Sequence, residues 1–199
     1  IDVLLLGIIT TPGLSFFVFY LKADMGIMIS ASHNKASDNG IKFFDANCEK
    51  LSDEVEREIE KLIESGFVSK DSEHLGKATR VDEMREKYED FCVSTVPTGT
   101  LFEGLKVIVD CANGAAYKAA PSVFTYLGAD VVSICDTPDG RNINEECGAT
   151  NTKKLEKTVV EEKADVGVAL DGDGDRLIMV DELGNEIDGD QILYILAKD

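Results

Sequence analysis

Apolar positions in the second half of the chain switch regularly between short continuous runs, typical of buried strands, and helical spacing. The predicted strands of this half are 107–110, 131–134 and 166–170, and the predicted helices are 119–127 and 155–162. This βαβαβ order predicts a mostly parallel sheet with helices on both faces. Beyond it, apolar positions at 176–180 and around Ile187 predict a hairpin that turns at Gly184 and Asn185.

The first half alternates less regularly, because polar loops interrupt its apolar runs. Its predicted elements are a strand at 3–9, a helix at 13–21, a strand at 26–29, a short apolar segment at 41–44, and helices at 52–65 and 81–92. The helix at 52–65 is the clearest of these, since acids fill its first turn and Gly66 can end it. The chain is therefore predicted to be α/β throughout, with mixed, mostly parallel sheets flanked by helices.

A break at Pro97, Thr98 and Gly99 predicts a division into two α/β domains, residues 1–98 and 99–199. The chain starts on Ile1 inside an apolar run and stops at Asp199, just after a predicted helix at 191–197. We therefore predict that the chain is part of a larger protein.

The charge of the chain restricts its partners. Its 199 residues carry a formal net charge of −18, so the overall field repels phosphate and argues against nucleic-acid or anionic-membrane binding. An anionic substrate would need cations placed locally in the site. The uncharged stretch 3–21 could span a bilayer by length, but Pro12 and Gly13 interrupt it, and a buried strand followed by a helix explains it better.

The five cysteines are odd in number and widely spaced, and no CxxC pair occurs. This pattern supports neither a disulfide framework nor a zinc site, and it is typical of a reducing compartment. We therefore expect the protein to be cytoplasmic.

Three carboxylates alternate with two glycines in the loop 171–176, directly after a predicted strand. Glycine lets the backbone fold tightly, so that Asp171, Asp173 and Asp175 can converge on one point. Three hard oxygen ligands suit Mg²⁺ or Ca²⁺, and their mutual repulsion favours a bound cation over a merely solvated turn. An EF-hand is poorly supported: Glu182 falls at loop position twelve, but Arg176 stands where that loop needs glycine.

A second loop follows another apolar strand and begins Ser30-Ala31-Ser32-His33-Asn34. It offers a hydroxyl nucleophile beside a histidine, with Lys42 ten residues after Ser32. The residues alone do not rank Ser30 against Ser32. A Ser-His-Asp hydrolase is not supported, because the other histidine, His74, lies in a polar, exposed stretch.

The turn 110–115 connects a strand to a helix and has two interpretations. Its backbone N–H groups could face an anion, or it could be a tight turn that packs the helix on the strand. The chain has no GxGxxG motif and no Walker lysine, so nucleotide binding lacks support.

Together these loops resemble the α-D-phosphohexomutase superfamily, whose serine loop reads Ser-Ala-Ser-His-Asn-Pro and whose metal loop reads Asp-Gly-Asp-Gly-Asp-Arg. Further stretches resemble the bacterial branch that acts on glucosamine phosphates: 38–44, 109–115, 142–150, 178–181 and 188–193. Lys35 stands where the family usually has proline, which could loosen the serine loop. The resemblance implies a four-domain enzyme, of which this chain covers most of the first domain and the second.

The resemblance also implies roles for particular residues. Ser32 would carry a phosphoryl group and contribute one of its oxygens to Mg²⁺, whose other ligands would be Asp171, Asp173 and Asp175. Arg176 would share the phosphoryl charge, and Lys42, supported by His33, would be the general acid/base.

The implied reaction converts glucosamine 6-phosphate to glucosamine 1-phosphate through a bisphosphate, for UDP-N-acetylglucosamine and cell-wall precursor synthesis. The implied partner is a phosphosugar, with no nucleic acid or membrane, and the resemblance allows a homodimer. Two alternatives stay open: a mutase for phosphomannose or phosphoglucose, and a non-catalytic metal-binding fragment. As it stands, the isolated chain is predicted to be inactive.

Overall fold

The structure is a computed structural model that describes residues 1–66 and 71–198. Its strands are β1 (Val3–Leu5), β2 (Met25–Ser30), β3 (Gly40–Asp45), β4 (Ala78–Arg80), β5 (Lys106–Asp110), β6 (Asp130–Ile134), β7 (Val166–Leu170), β8 (Leu177–Asp181) and β9 (Glu186–Ile187). Its helices are α1 (Thr11–Tyr20), α2 (Asp53–Ser65), α3 (Met84–Ser94), α4 (Ala119–Tyr126), α5 (Lys153–Glu162) and α6 (Gly189–Lys198).

The second half forms a sheet of strand order β6-β5-β7-β8-β9. Strands β6, β5 and β7 are parallel, and β8 and β9 form the antiparallel hairpin predicted from the sequence. Side chains of β5 alternate between two cores: Ile108 packs with Leu155 of α5 on one face, and Val109 lies with Phe124 of α4 on the other. The predicted helices therefore do cover both faces.

The first half contains two smaller strand pairs. Strands β1 and β4 pair in parallel, whereas β2 and β3 form an antiparallel pair that ends at Ser30 and Gly40. Helix α1 packs on β2 through Leu14, Val18 and Met28. The chain thus consists of two α/β regions with mixed sheets, as predicted, and both the serine loop and the acidic loop begin at the end of a strand.

Two predictions for the first half need correction. The predicted strand 3–9 is paired only over Val3–Leu5, because Gly7 adopts a φ of 78° and bends the chain toward the start of α1. The helix predicted from Val81 begins at Met84 instead. Residues before it form β4, and the Val81 N–H donates to the Leu5 carbonyl (3.0 Å).

The longest helix among residues 1–66 and 71–198, α2, has 13 residues. Within that part of the chain, no helix is long and apolar enough to cross a membrane.

Leu155→Ala is expected to lower the free energy of unfolding by about 2–5 kcal/mol, because Leu155 is fully buried between α5 and the sheet. The matched control is Val160→Ala on the same helix, where the side chain is 51% exposed and the change should stay within about 0.5 kcal/mol. Urea unfolding of both variants measures the difference. Equal losses would contradict the assignment of this core.

Candidate active site

The acidic loop after β7 gathers three carboxylates. Oxygen atoms of Asp171, Asp173 and Asp175 all lie within 4.8 Å of one another. Asp171 and Asp173 are buried, whereas Asp175 is exposed at the edge of the group. The backbone N–H groups of Asp175 and Arg176 both donate to Asp171 Oδ1 (3.1 Å each), which folds the loop back on its first carboxylate.

The other half of the site comes from the serine loop and β3. Ser32 Oγ donates to Asp173 Oδ1 (3.1 Å), and Lys42 Nζ lies 3.4 Å from Ser32 Oγ. Lys42 Nζ also donates to Asp173 Oδ2 (2.6 Å) and Asp175 Oδ2 (3.3 Å). A hydroxyl, an ammonium group and the acidic loop therefore meet at one point, although they come from opposite halves of the chain.

Local backbone geometry distinguishes the two serines that the sequence left unranked. Ser30 Oγ accepts the Ser32 N–H (2.9 Å), so it supports the turn. Ser32 itself has a φ of 53°, in the left-handed region that costs a non-glycine residue about 1–3 kcal/mol. This conformation accompanies the placement of Ser32 Oγ against the acidic loop.

Asn144 holds the serine loop from the other half of the molecule, and sequence reasoning did not single it out. Its Nδ2 donates to the carbonyls of Ser32 (2.7 Å) and Asn34 (2.8 Å). The residue is buried, and its own N–H donates to the Ala112 carbonyl (2.8 Å). A second residue missed in this way is Thr11, whose Oγ1 donates to Asp173 Oδ2. Both contacts join residues more than 100 positions apart, which local patterns do not reveal.

Asn144→Ala is expected to destabilise the protein by about 1–3 kcal/mol, because two backbone carbonyls lose their donor. Amide hydrogen exchange in the segment 30–39 should speed up as the serine loop loosens. Asn142→Ala is the matched control, since among the described residues the Asn142 side chain bonds to its own loop alone, at Thr137 and Asp139. Unchanged exchange after the Asn144 substitution would contradict the proposed anchoring.

The ionisable groups of the site influence one another strongly. Burial and the neighbouring carboxylates raise the pKa of Asp171 above its usual value. Burial alone would lower the pKa of Lys42, but the carboxylates of Asp173 and Asp175 outweigh it and hold that pKa above the usual value. Lys42 is therefore a charged donor here, and it offsets part of the negative charge of the loop.

The remaining two predicted catalytic residues lie at the margin of this arrangement. Arg176 is 53% exposed, and its Nε lies 3.9 Å from Asp171 Oδ2. His33 follows Ser32 directly, but its buried Nδ1 has no hydrogen-bond partner among the described residues. The structure thus brings Ser32, Lys42 and the three aspartates together, and leaves Arg176 and His33 beside them.

The backbone N–H groups of the turn 110–115 form hydrogen bonds within the protein. The N–H groups of residues 111–115 donate, in order, to the carbonyl of Ile134, the side chain of Asp110, and the carbonyls of Cys135, Cys111 and Gly172. No N–H of this run is left for an anion, so the tight-turn interpretation holds.

Gly172 of the acidic loop lies against the serine loop. A Cβ at this position would lie 2.6 Å from the Ser32 carbonyl, so the close approach of the two loops requires glycine.

The acidic loop fits a divalent metal ion. Asp171 Oδ2 is buried and has no hydrogen-bond partner among the described residues, so this oxygen is available to ligate a cation. The donor set consists of hard carboxylate oxygens, which suit Mg²⁺ rather than a soft metal. Lys42 supplies one positive charge at this cluster of three carboxylates.

Two family models match the chain. Residues 1–69 match phosphoglucomutase/phosphomannomutase, alpha/beta/alpha domain I, and residues 86–184 match alpha/beta/alpha domain II of the same family.

Individual relatives agree with these matches. A phosphoglucosamine mutase of Alcanivorax borkumensis is 53% identical over 199 residues, which are all of this chain and 45% of that protein. One from Pseudomonas syringae pv. tomato is 51% identical over 198 residues and matched over 44% of its length. The crystal structure of a phosphoglucomutase/phosphomannomutase family protein from Burkholderia thailandensis superposes with a TM-score of 0.81 at 27% identity, covering all of this chain and 44% of that one. The chain spans under half the length of the curated relatives it matches.

Proposed function

The chain belongs to the phosphoglucomutase/phosphomannomutase family, and we propose that it supplies the phosphoserine and the metal-binding loop of a phosphoglucosamine mutase. One observation carries this proposal: Ser32 Oγ lies 3.1 Å from Asp173 Oδ1 and 3.4 Å from Lys42 Nζ. The high identity to relatives named phosphoglucosamine mutase supports glucosamine as the sugar.

In the proposed reaction, phosphorylated Ser32 transfers its phosphoryl group to the free hydroxyl of a glucosamine monophosphate. The resulting bisphosphate reorients in the site and transfers its other phosphoryl group to Ser32, so the serine is phosphorylated again. This chemistry depends mainly on positioning and charge neutralisation. The left-handed turn and the Asn144 contacts support the first requirement, since they hold Ser32 in place.

The positively charged side chains of the site would act on the phosphoryl group and on the sugar hydroxyl. Lys42 carries a proton on Nζ, next to Ser32 Oγ. From there the Lys42 side chain can donate a proton to the reacting sugar hydroxyl or accept one from it. Arg176, exposed at the edge of the loop, can direct its forked donors to phosphoryl oxygens, and His33 would support Lys42. A Mg²⁺ ion held by Asp171, Asp173, Asp175 and a phosphoryl oxygen on Ser32 would supply Lewis-acid charge withdrawal when bound.

The wider organisation is part of the same proposal. The proposed division at residues 98 and 99 falls in the irregular segment between α3 and β5, whereas the domain II match begins at residue 86. The matched part is 45% of the length of the Alcanivorax borkumensis relative, and we propose that recognition of the sugar involves the remaining part. The five unpaired thiols support a cytoplasmic location.

Helix α6 exposes apolar side chains such as Leu193 and Leu196. Their exposure supports the proposal that this helix packs against further polypeptide, such as a second copy of the protein.

Turnover of the natural polypeptide that carries this chain tests the proposal. With Mg²⁺ and a bisphosphate primer, we expect kcat/KM for glucosamine 6-phosphate to exceed those for mannose 6-phosphate and glucose 6-phosphate by about tenfold or more. A preference for mannose or glucose would instead support the corresponding mutase. Metal binding without any turnover would support the non-catalytic alternative.

A further inference from the structure

Two cysteines outside the candidate active site come together in the fold. Cys135 directly follows β6, and Cys147 lies in the loop that leads to α5. Their Sγ atoms and a carboxylate oxygen of Asp110 all lie within 4.8 Å of one another. The spacing along the chain matches no cysteine motif, so only the fold reveals this pair.

The surroundings make the two sulfur atoms chemically different. Lys154 Nζ lies 3.2 Å from Cys135 Sγ, and Cys135 is half-buried, whereas Cys147 is fully buried. A hydrogen bond with the Cys147 thiol lowers the pKa of Cys135, and Lys154 acts in the same direction. Burial and the charge of Asp110 act in the opposite direction but are outweighed. The same hydrogen bond and burial raise the pKa of Cys147. Cys135 is therefore the thiol that loses its proton more readily, and Cys147 is the one that keeps it.

A metal ion is a poorer occupant of this cluster than thiol chemistry. Both Asp110 oxygens already accept hydrogen bonds, from the N–H groups of Ala112 and Gly148 (2.9 Å each). The ammonium group of Lys154 next to Cys135 would also repel a cation. An accessible thiolate with a second thiol beside it is the arrangement typical of redox-sensitive cysteines.

We propose that Cys135 and Cys147 form a peroxide-reactive pair that closes to an intramolecular disulfide. The Cys135 thiolate attacks a peroxide oxygen and becomes a sulfenic acid, while the O–O bond breaks and, with hydrogen peroxide, the departing oxygen leaves as water after taking up a proton. Cys147 then attacks the Cys135 sulfur, and the S–S bond forms as its thiol proton and the sulfenic hydroxyl leave as a second water. The segment that this bond closes contains Asn144, which holds the serine loop.

Thiol counting on the reduced whole chain tests the proposal. After treatment with hydrogen peroxide, denaturation and alkylation with N-ethylmaleimide, we expect two of the five thiols to escape labelling. Peptide mapping should find Cys135 joined to Cys147. In Cys147→Ser the sulfenic acid should accumulate on Cys135 and react with dimedone, and Lys154→Met should slow oxidation of the pair several-fold.

Cys92→Ser is the matched control, because Cys92 is also half-buried but lies on α3, outside this cluster. It should leave the rate of Cys135–Cys147 oxidation unchanged. Five labelled thiols after peroxide, or two lost thiols that map elsewhere, would overturn the proposal. So would stoichiometric Zn²⁺ binding that disappears in both Cys135→Ser and Cys147→Ser and blocks oxidation, since the cluster would then be a metal site.

Discussion

Ser32→Ala in the natural polypeptide that carries this chain is expected to lower mutase turnover by roughly 10⁴-fold or more, because the substitution removes the hydroxyl that would carry the phosphoryl group. Among the hydroxyls of the serine loop, Ser32 Oγ is the one that contacts both Asp173 and Lys42. Mg²⁺ binding should survive the change, since the three carboxylates remain. Steady-state turnover of glucosamine 6-phosphate, together with the mass of the phosphorylated serine peptide, measures the effect.

Ser30→Ala is the matched control for this substitution. Its hydroxyl accepts the Ser32 N–H, so its loss removes one hydrogen bond of about 1 kcal/mol and should lower turnover by no more than about tenfold. The phosphoryl group should still be found on Ser32. Undiminished turnover in Ser32→Ala, or a phosphoryl group on Ser30, would refute the assignment of the nucleophile.

Asp173→Asn is expected to weaken Mg²⁺ binding by about 100-fold or more and to remove metal-dependent turnover. The substitution keeps the shape of the side chain but removes its charge. Asp173 is also the residue that Thr11, Ser32 and Lys42 all contact, so it links the metal loop to the nucleophile. Isothermal titration with Mg²⁺ measures the affinity directly.

Glu182→Gln separates this site from an EF-hand. Glu182 is exposed beyond β8, outside the carboxylate group, so the substitution should leave Mg²⁺ affinity unchanged. An EF-hand would need Glu182 as its bidentate ligand and would lose most of its affinity. If Asp173→Asn binds Mg²⁺ as well as the unsubstituted protein, the acidic loop is not the metal site.

Much of the fold follows from local patterns. Strand β7 has the predicted bounds, and α2 begins after Ser52, where acids fill the first turn, and ends before Gly66 as expected. Strand β4 was missed because Ala78, Thr79 and Arg80 are all exposed and show no apolar alternation. Its position is set by pairing with β1, which is a tertiary contact.

For the candidate site, the sequence was informative about residue types and less so about geometry. The three aspartates could be grouped because they are neighbours after one strand, and the structure does bring them together. Ranking Ser32 above Ser30 required the left-handed turn at Ser32 and contacts that cross the molecule. Asn144 and the Cys135–Cys147 pair were missed for the same reason: their partners are distant in sequence or follow no fixed spacing.

The hydrogen bond between Ser32 and Asp173 joins residues 141 positions apart, so it can form only after both halves of the chain have folded and docked. Contacts of such long sequence separation are typically slow to form during folding. Completion of the site would thus be a late event, and partly assembled chains would carry an exposed serine without its metal loop. Any ligand that binds only the docked form, Mg²⁺ included, would stabilise it by mass action and raise the melting temperature.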